Sequence, residues 1–228
     1  MAVRPVVICG EPVLHRPAAR VDAFDEALAD LVTDMFETMD AAHGVGLAAP
    51  QIGVGRRLFT YELANDDDVA ARGVVVNPIL TVAKVPNVHP DPDDDAEGCL
   101  SVPGESFPLV RADHVRVQGF NAWGEPLDFE ATGWFARCMQ HEFDHLNGKL
   151  YVDRLDGRWA KKARKAVKAN GWGTPGLSWM PGVDRDPFGH VADHEHDHGD
   201  HDHGDHDHGN CDHVAAGHGD LEHDQRLV

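Results

Sequence analysis

Gln140-His141-Glu142-Phe143-Asp144-His145-Leu146-Asn147-Gly148 is the stretch on which the reading of this chain turns. His141 and His145 are four residues apart, so on a helix both imidazoles leave one face about a turn apart. Glu142 follows the first, within reach of a water held by both. The pattern is H-E-x-x-H: two neutral nitrogen donors for a metal and a carboxylate placed to move a proton. It requires a helix, and Trp134, Phe135, Cys138, Met139, Glu142, Phe143 and Leu146 recur at helical spacing. Thr132 is the expected N-cap and Gly148 the left-handed stop. Two histidines can also share a helix face by coincidence, and a metal site needs a third ligand from elsewhere.

Downstream, Leu150-Tyr151-Val152 precedes a stretch from Asp153 to Asn170. It holds Arg154, Arg158, Lys161, Lys162, Arg164, Lys165 and Lys168 among Leu155, Trp159, Ala163, Ala166 and Val167. This is an amphipathic basic helix. A solvated face is the ordinary reading, and a weak contact with ribosomal RNA through residues 154–168 is the functional one. Gly and Pro then mark 171–189 as a linker. From His190 onward, Asp-His repeats dominate, and eleven of the 17 histidines fall there. With almost no apolar residues this tail is expected to stay disordered. It should hold divalent ions in loose, interchangeable sites; the alternative is a solubilising charged tail.

Upstream, Val110–Phe120 and Leu127–Phe129 read as strands joined by a turn at Asn121-Ala122-Trp123-Gly124. The motif Glu97-Gly98-Cys99-Leu100-Ser101 stands before them. Cys99 could give a thiolate to the histidine pair, although a lone cysteine is more often a small buried apolar residue. The acidic run 89–95 lacks calcium-loop spacing and is expected to be a solvated loop. Arg57–Leu63 and Gly73–Leu80 read as strands around the polar loop Asn65-Asp66-Asp67-Asp68. Gly44-Val45-Gly46-Leu47-Ala48-Ala49-Pro50-Gln51 is dense in small residues, which lets backbone approach closely; Gln51 is a polar side chain after an apolar run. Phe24, Leu28, Leu31, Val32, Met35, Phe36 and Met39 form one stripe, predicting a core-packing helix of about 19 residues from Asp22 to near Gly44. Before it, three prolines predict an extended entry, non-helical past Pro12.

The net charge of −19 is unevenly spread. From Asp184 onward 13 acidic residues face two arginines, leaving 26 acidic and 18 basic residues in the rest. A moderately acidic body gives no reason to expect DNA binding through bulk charge. Four scattered cysteines make no CxxC pair and imply a reducing compartment. No apolar run approaches the roughly 18 residues of a membrane helix, and the N-terminus is no signal peptide. A cytoplasmic enzyme is expected, with no membrane partner.

In order, G-V-G-L-A-A-P-Q, E-G-C-L-S and Q-H-E-F-D-H resemble the peptide deformylase family over roughly residues 5–165. These enzymes remove the formyl group from the N-terminal formyl-methionine of new bacterial proteins. The resemblance implies an α+β fold with antiparallel sheets packed around a central H-E-x-x-H helix, flanked by an N-terminal amphipathic and a C-terminal basic helix. It implies a catalytic domain over 1–170 acting on N-formyl-Met peptides of nascent chains. Cys99, His141 and His145 become the metal ligands and Glu142 the catalytic carboxylate. Gln51 and the Leu100 N–H hold the developing oxyanion, and Gly46 and Gly98 line a groove where the peptide adds as a strand. The implied metal is Fe²⁺, with Zn²⁺, Ni²⁺ or Co²⁺ as substitutes. One departure is that Val102-Pro103-Gly104-Glu105 lacks an arginine that some relatives carry facing the groove. Two other classes remain: a metallopeptidase, which usually takes His or a carboxylate as third ligand, and a metal-storage protein whose tail is the function.

Overall fold

The computed structural model describes residues 2–64 and 70–189. The loop expected at Asn65–Asp68 and the tail from His190 lie outside the described residues. The elements are β1 (Val6–Val7), α1 (Glu26–Ala41), β2 (Gly46–Ala48), β3 (Leu58–Ala64), β4 (Ala70–Val82), β5 (Ala96–Gly98), β6 (Ser106–Pro108), β7 (His114–Phe120), β8 (Pro126–Thr132), α2 (Gly133–Leu146), α3 (Gly157–Ala169) and β9 (Ser178–Trp179). The class is α+β. A five-stranded antiparallel sheet runs in the order β2-β3-β4-β7-β8, with β5-β6 and β1-β9 as small antiparallel pairs.

One apolar cluster joins the sheet to α2 through Phe59, Val75, Val115, Val117, Phe135, Met139 and Leu146. A second joins α1 to the loop after β5 and to α3, through Met35, Met39, Leu47, Leu100, Tyr151 and Ala163. The site helix therefore lies between sheet and loop, most of its residues buried. Thr132 occupies its N-cap position. Gly148 follows it at φ 70°, where a Cβ would meet Arg16 backbone at 2.5 Å. No described helix is long and apolar enough to cross a membrane.

Four local expectations are corrected. The first long helix starts at Glu26, not Asp22, because Asp25 accepts the Leu28 N–H as a side-chain cap. Phe24 therefore leaves the stripe and packs edge-on to Phe120. Pro12–His15 forms a short 3₁₀ helix, which proline tolerates in its first turn, instead of extended chain. The strand read at Gly73–Leu80 extends from Ala70 to Val82, its register broken between Val76 and Ile79. There Asn77 takes φ 52° and clamps Val21 through both ends of its side chain. The 171–189 stretch is more than a linker, since Ser178 and Trp179 pair with β1 and Trp179 is buried. Its glycines punctuate the chain, but Leu177, Trp179 and Phe188 carry enough apolar surface to dock it.

Candidate metal centre

Helix α2 presents His141 and His145 one turn apart, with their Nε2 atoms separated by 3.1 Å. Cys99, one residue past β5, puts Sγ 3.3 Å from His145 Nε2. All three side chains are buried, and their donor atoms lie within 4.8 Å of one another. Donors around a tetrahedral ion at ordinary Zn–N and Zn–S lengths stand about 3.4–3.6 Å apart, so the spacing fits one.

The electrostatics support the same fit. Burial, then His141, pushes His145 well below the ordinary histidine value, leaving a neutral imidazole. Two Nε2 lone pairs turned on each other at 3.1 Å repel unless a proton or cation stands between them. Burial raises the Cys99 thiol well above its ordinary value, and the nearby Glu142 and Glu97 carboxylates add to the rise. A thiolate there needs a positive partner. The residues present thus suit a soft divalent ion held by one sulfur and two nitrogens.

Glu142 is fully buried, and among the described residues neither carboxylate oxygen has a hydrogen-bond partner. Burial raises it well above the ordinary carboxylate range, helped by the charge on Glu97. A Cβ on Gly46 would sit 2.5 Å from Glu142 Oε1, so any side chain there would have to push the carboxylate aside. Gln51, in the 3₁₀ turn Ala49–Ile52, is pinned by the Ala48 N–H donating to its Oε1 at 2.7 Å. Its Nε2 end then faces Cys99 Sγ at 3.7 Å. The Cys99 carbonyl accepts from Val102 N–H at 2.8 Å. In a trans peptide the Leu100 N–H of that unit points the opposite way. Gly98 ends β5 opposite Ser106, directly ahead of Cys99.

Sequence reasoning missed what lies behind the histidines. Glu97 Oε1 lies 2.7 Å from His141 Nδ1. Paired so, Nδ1 carries the proton and Nε2 is left as the donor facing the site. Arg111 grips Glu97 with Nη2 at 2.6 Å and Nε at 3.0 Å, and reaches Asp144 with Nη1 at 2.7 Å. Arg137 adds Nη1 at 3.2 Å to Glu97, and Arg154 closes on Asp144. Burial alone would raise Glu97; Arg111 and the His141 hydrogen bond override it and hold the group well below the usual carboxylate range. Asp95, expected in solvent, instead binds Arg137 at 2.7 Å. Glu97 was visible within E-G-C-L-S as the charged residue beside a candidate ligand. Nothing in the sequence marks Arg111.

The polypeptide deformylase family profile matches residues 3–161. A peptide deformylase of Mycolicibacterium vanbaalenii is 57% identical over 197 residues, covering 83% of this chain and all of that protein. One from Mycobacterium marinum is 56% identical with the same coverage. Among solved structures, a peptide deformylase from Legionella pneumophila aligns at TM-score 0.63 and 39% identity, over 75% of this chain and 96% of that one. One from Ehrlichia chaffeensis in complex with actinonin aligns at 0.64 and 32%, over 75% and 98%.

Proposed function

This chain belongs to the polypeptide deformylase family and removes the N-formyl group from nascent peptides, and we propose that Cys99, His141 and His145 hold its metal while Glu142 moves the protons. The observation that carries this reading is the buried Glu142 carboxylate, left without a hydrogen bond beside three converging donors. A divalent ion held by these three residues would supply Lewis acidity and lower the pKa of water at the site toward neutrality.

The protein's own groups do the rest. The buried Glu142 carboxylate, next to His141 in the chain and free of other hydrogen bonds among the described residues, is placed to accept the water's proton and return it to the departing methionine amine as formate leaves. Gln51 Nε2 and the Leu100 N–H donate to the formyl oxygen as it gains charge; losing one such donor typically costs about 10²–10³ in rate. The peptide adds along β2, an edge strand of the sheet, with Gly46 and Gly98 lining the groove. A thiolate in the ligand set favours these transition ions over Mg²⁺ or Ca²⁺, and in this reading the ion is the Fe²⁺ that the family resemblance implies, with Zn²⁺, Ni²⁺ or Co²⁺ as substitutes.

Residues 1–170 form the catalytic domain in this reading, working in the cytoplasm with α2 as its central helix. The tail from His190 buffers divalent ions. Lys161, Lys162, Lys165 and Lys168 on α3 are exposed and serve a weak ribosome contact; unchanged ribosome co-sedimentation after their charge reversal would exclude it. Formate release from a formyl-Met tripeptide, with anaerobically prepared protein beside Glu142→Ala, tests the core assignment. The variant should lose about 10²–10⁴-fold in rate with its metal retained. A variant as fast as the parent removes Glu142 from the chemistry, and cleavage of unblocked peptides would point to a peptidase.

A further inference from the structure

A cavity of about 670 Å³ opens between the N-terminal entry, the turn after α2, helix α3 and the strap formed by residues 171–189. None of Cys99, His141, His145 or Glu142 lines it. Backbone contacts hold its walls together. Cys9 N–H donates to the Ser101 carbonyl at 2.9 Å, and Gly173 N–H donates to the Cys9 carbonyl at 3.0 Å. A Cβ on Gly10 would stand 2.6 Å from Gly173 backbone, so entry and strap meet there without side chains. Further along the strap, Trp179 donates its Nε1–H to the Leu100 carbonyl at 3.0 Å. The buried part of the lining is apolar, with Cys9, Leu150, Leu155 and Ala163. Burial, then the Asp153 charge, pushes the Cys9 thiol up to about 11, so it adds no charge there. Val167 and Trp172 continue this surface, half-buried.

The exposed edge of the cavity is cationic. Arg164 and Lys168 stand four residues apart on one face of α3. Neither has an ion-pair partner among the described residues. His15 joins them; its Nε2 accepts the Gly10 N–H at 3.2 Å, which leaves Nδ1–H free to donate. Asp153 is the one acidic residue in the lining, and it is turned back on its own chain to accept the Leu150 N–H at 2.9 Å. We propose that this cavity binds an amphipathic monocarboxylate of medium chain length, its carboxylate on Arg164 and Lys168 and its chain along Val167 and Trp172 toward Cys9. The volume lies within the range of roughly 300–1,000 Å³ usual for small-molecule sites, and apolar walls with a few convergent polar groups are their usual make-up. Two unpaired cations favour an anionic head, and the guanidinium can take a carboxylate through two parallel hydrogen bonds. The apolar floor favours a hydrocarbon chain over a second charge. This assignment does not depend on how the metal centre is read.

The test is calorimetric titration of the metal-loaded full chain with decanoate, kept below its micellar concentration. One equivalent should bind, and octanoate should bind roughly tenfold more weakly, because two fewer methylenes leave water. Decyltrimethylammonium, with the same chain and the opposite charge, should not bind. Arg164→Glu should weaken decanoate binding roughly tenfold or more. Arg164 is exposed, and an unchanged urea midpoint for this variant would show that its fold is intact. Ala163→Phe, which fills the floor, should abolish binding. No heat from decanoate would overturn the proposal, and so would equal affinities for octanoate and decanoate, since the chain would then lie in solvent. Decanoate bound as tightly by Arg164→Glu as by the parent would place the carboxylate elsewhere, the metal centre included, and would overturn it too.

Discussion

Two arginine–carboxylate pairs in this molecule share one geometry and differ in everything else. Arg111 meets Glu97 at 2.6 Å beneath α2, and Arg116 meets Asp128 at 2.6 Å on the face of the sheet. The side chains of the first pair are 6% and 0% exposed, those of the second 51% and 45%. In water the second pair gains little, because solvent already satisfies both charges. In the interior each charge has lost its hydration, so the pair stands only if every lone pair and proton finds a partner. Arg111, Arg137 and His141 between them supply those partners to Glu97. A buried pair is weak evidence for stability, and this one is better explained by what it positions: the His141 ring, with Nε2 turned to the site. The pair between Arg4 and Asp34 lies between the extremes, with an exposed cation on a buried carboxylate.

The comparison breaks most severely at Glu97. Glu97→Ala removes the carboxylate that Arg111 and Arg137 share, leaving Arg111 only Asp144 and Arg137 only Asp95, and a loss of about 3–5 kcal/mol is expected in urea unfolding. A loss within error of zero would mean that water enters and the cluster is not dry. Glu97→Gln keeps a hydrogen-bond acceptor for His141 but removes the charge. Competition with a chromophoric chelator should then show metal affinity about 10–100-fold weaker. Parent affinity in this variant would reduce Glu97 to a packing role.

Asp34 offers a smaller effect with a pH signature. Burial would raise its carboxyl, but the Arg4 hydrogen bond and the Ala2 N–H hold it below the ordinary value of 3.8. A carboxylate depressed in the folded state contributes stability above the unfolded value and loses it as pH falls through the folded one. Asp34→Asn should therefore cost about 1 kcal/mol at pH 7. The gap to the parent should close as pH drops below 3.8. A gap independent of pH would show that shape, not charge, is what Asp34 contributes. The least change belongs to Arg116→Ala, whose urea midpoint should match the parent at moderate salt.

Much of the site could be read from local pattern. The α2 periodicity, the shared face of His141 and His145, and the neighbouring Glu142 all follow from 3.6 residues per turn acting over one short window. Gln51 stood out as a polar side chain after an apolar run, and Cys99 as a thiol in an apolar setting. The joining of Cys99 to His145 across 46 positions came from the order of three motifs, since no periodicity spans that separation. Trp179 was passed over because Gly and Pro dominate its surroundings, although its own ring is large enough to anchor the strap.

What the sequence alone determined, then, is the inventory: a helix face bearing two histidines, a carboxylate, a thiol, an acidic histidine-rich tail and a family. Those are consequences of residue type and of spacings within a turn or two. Tertiary structure decided that Glu97, Arg111 and Asp144 form one buried cluster under the histidines, that a side chain at Gly46 would collide with the Glu142 carboxylate, and that the supposed linker docks on the loop carrying Cys99. Desolvation and close packing set these outcomes, and both depend on which distant segments exclude water together.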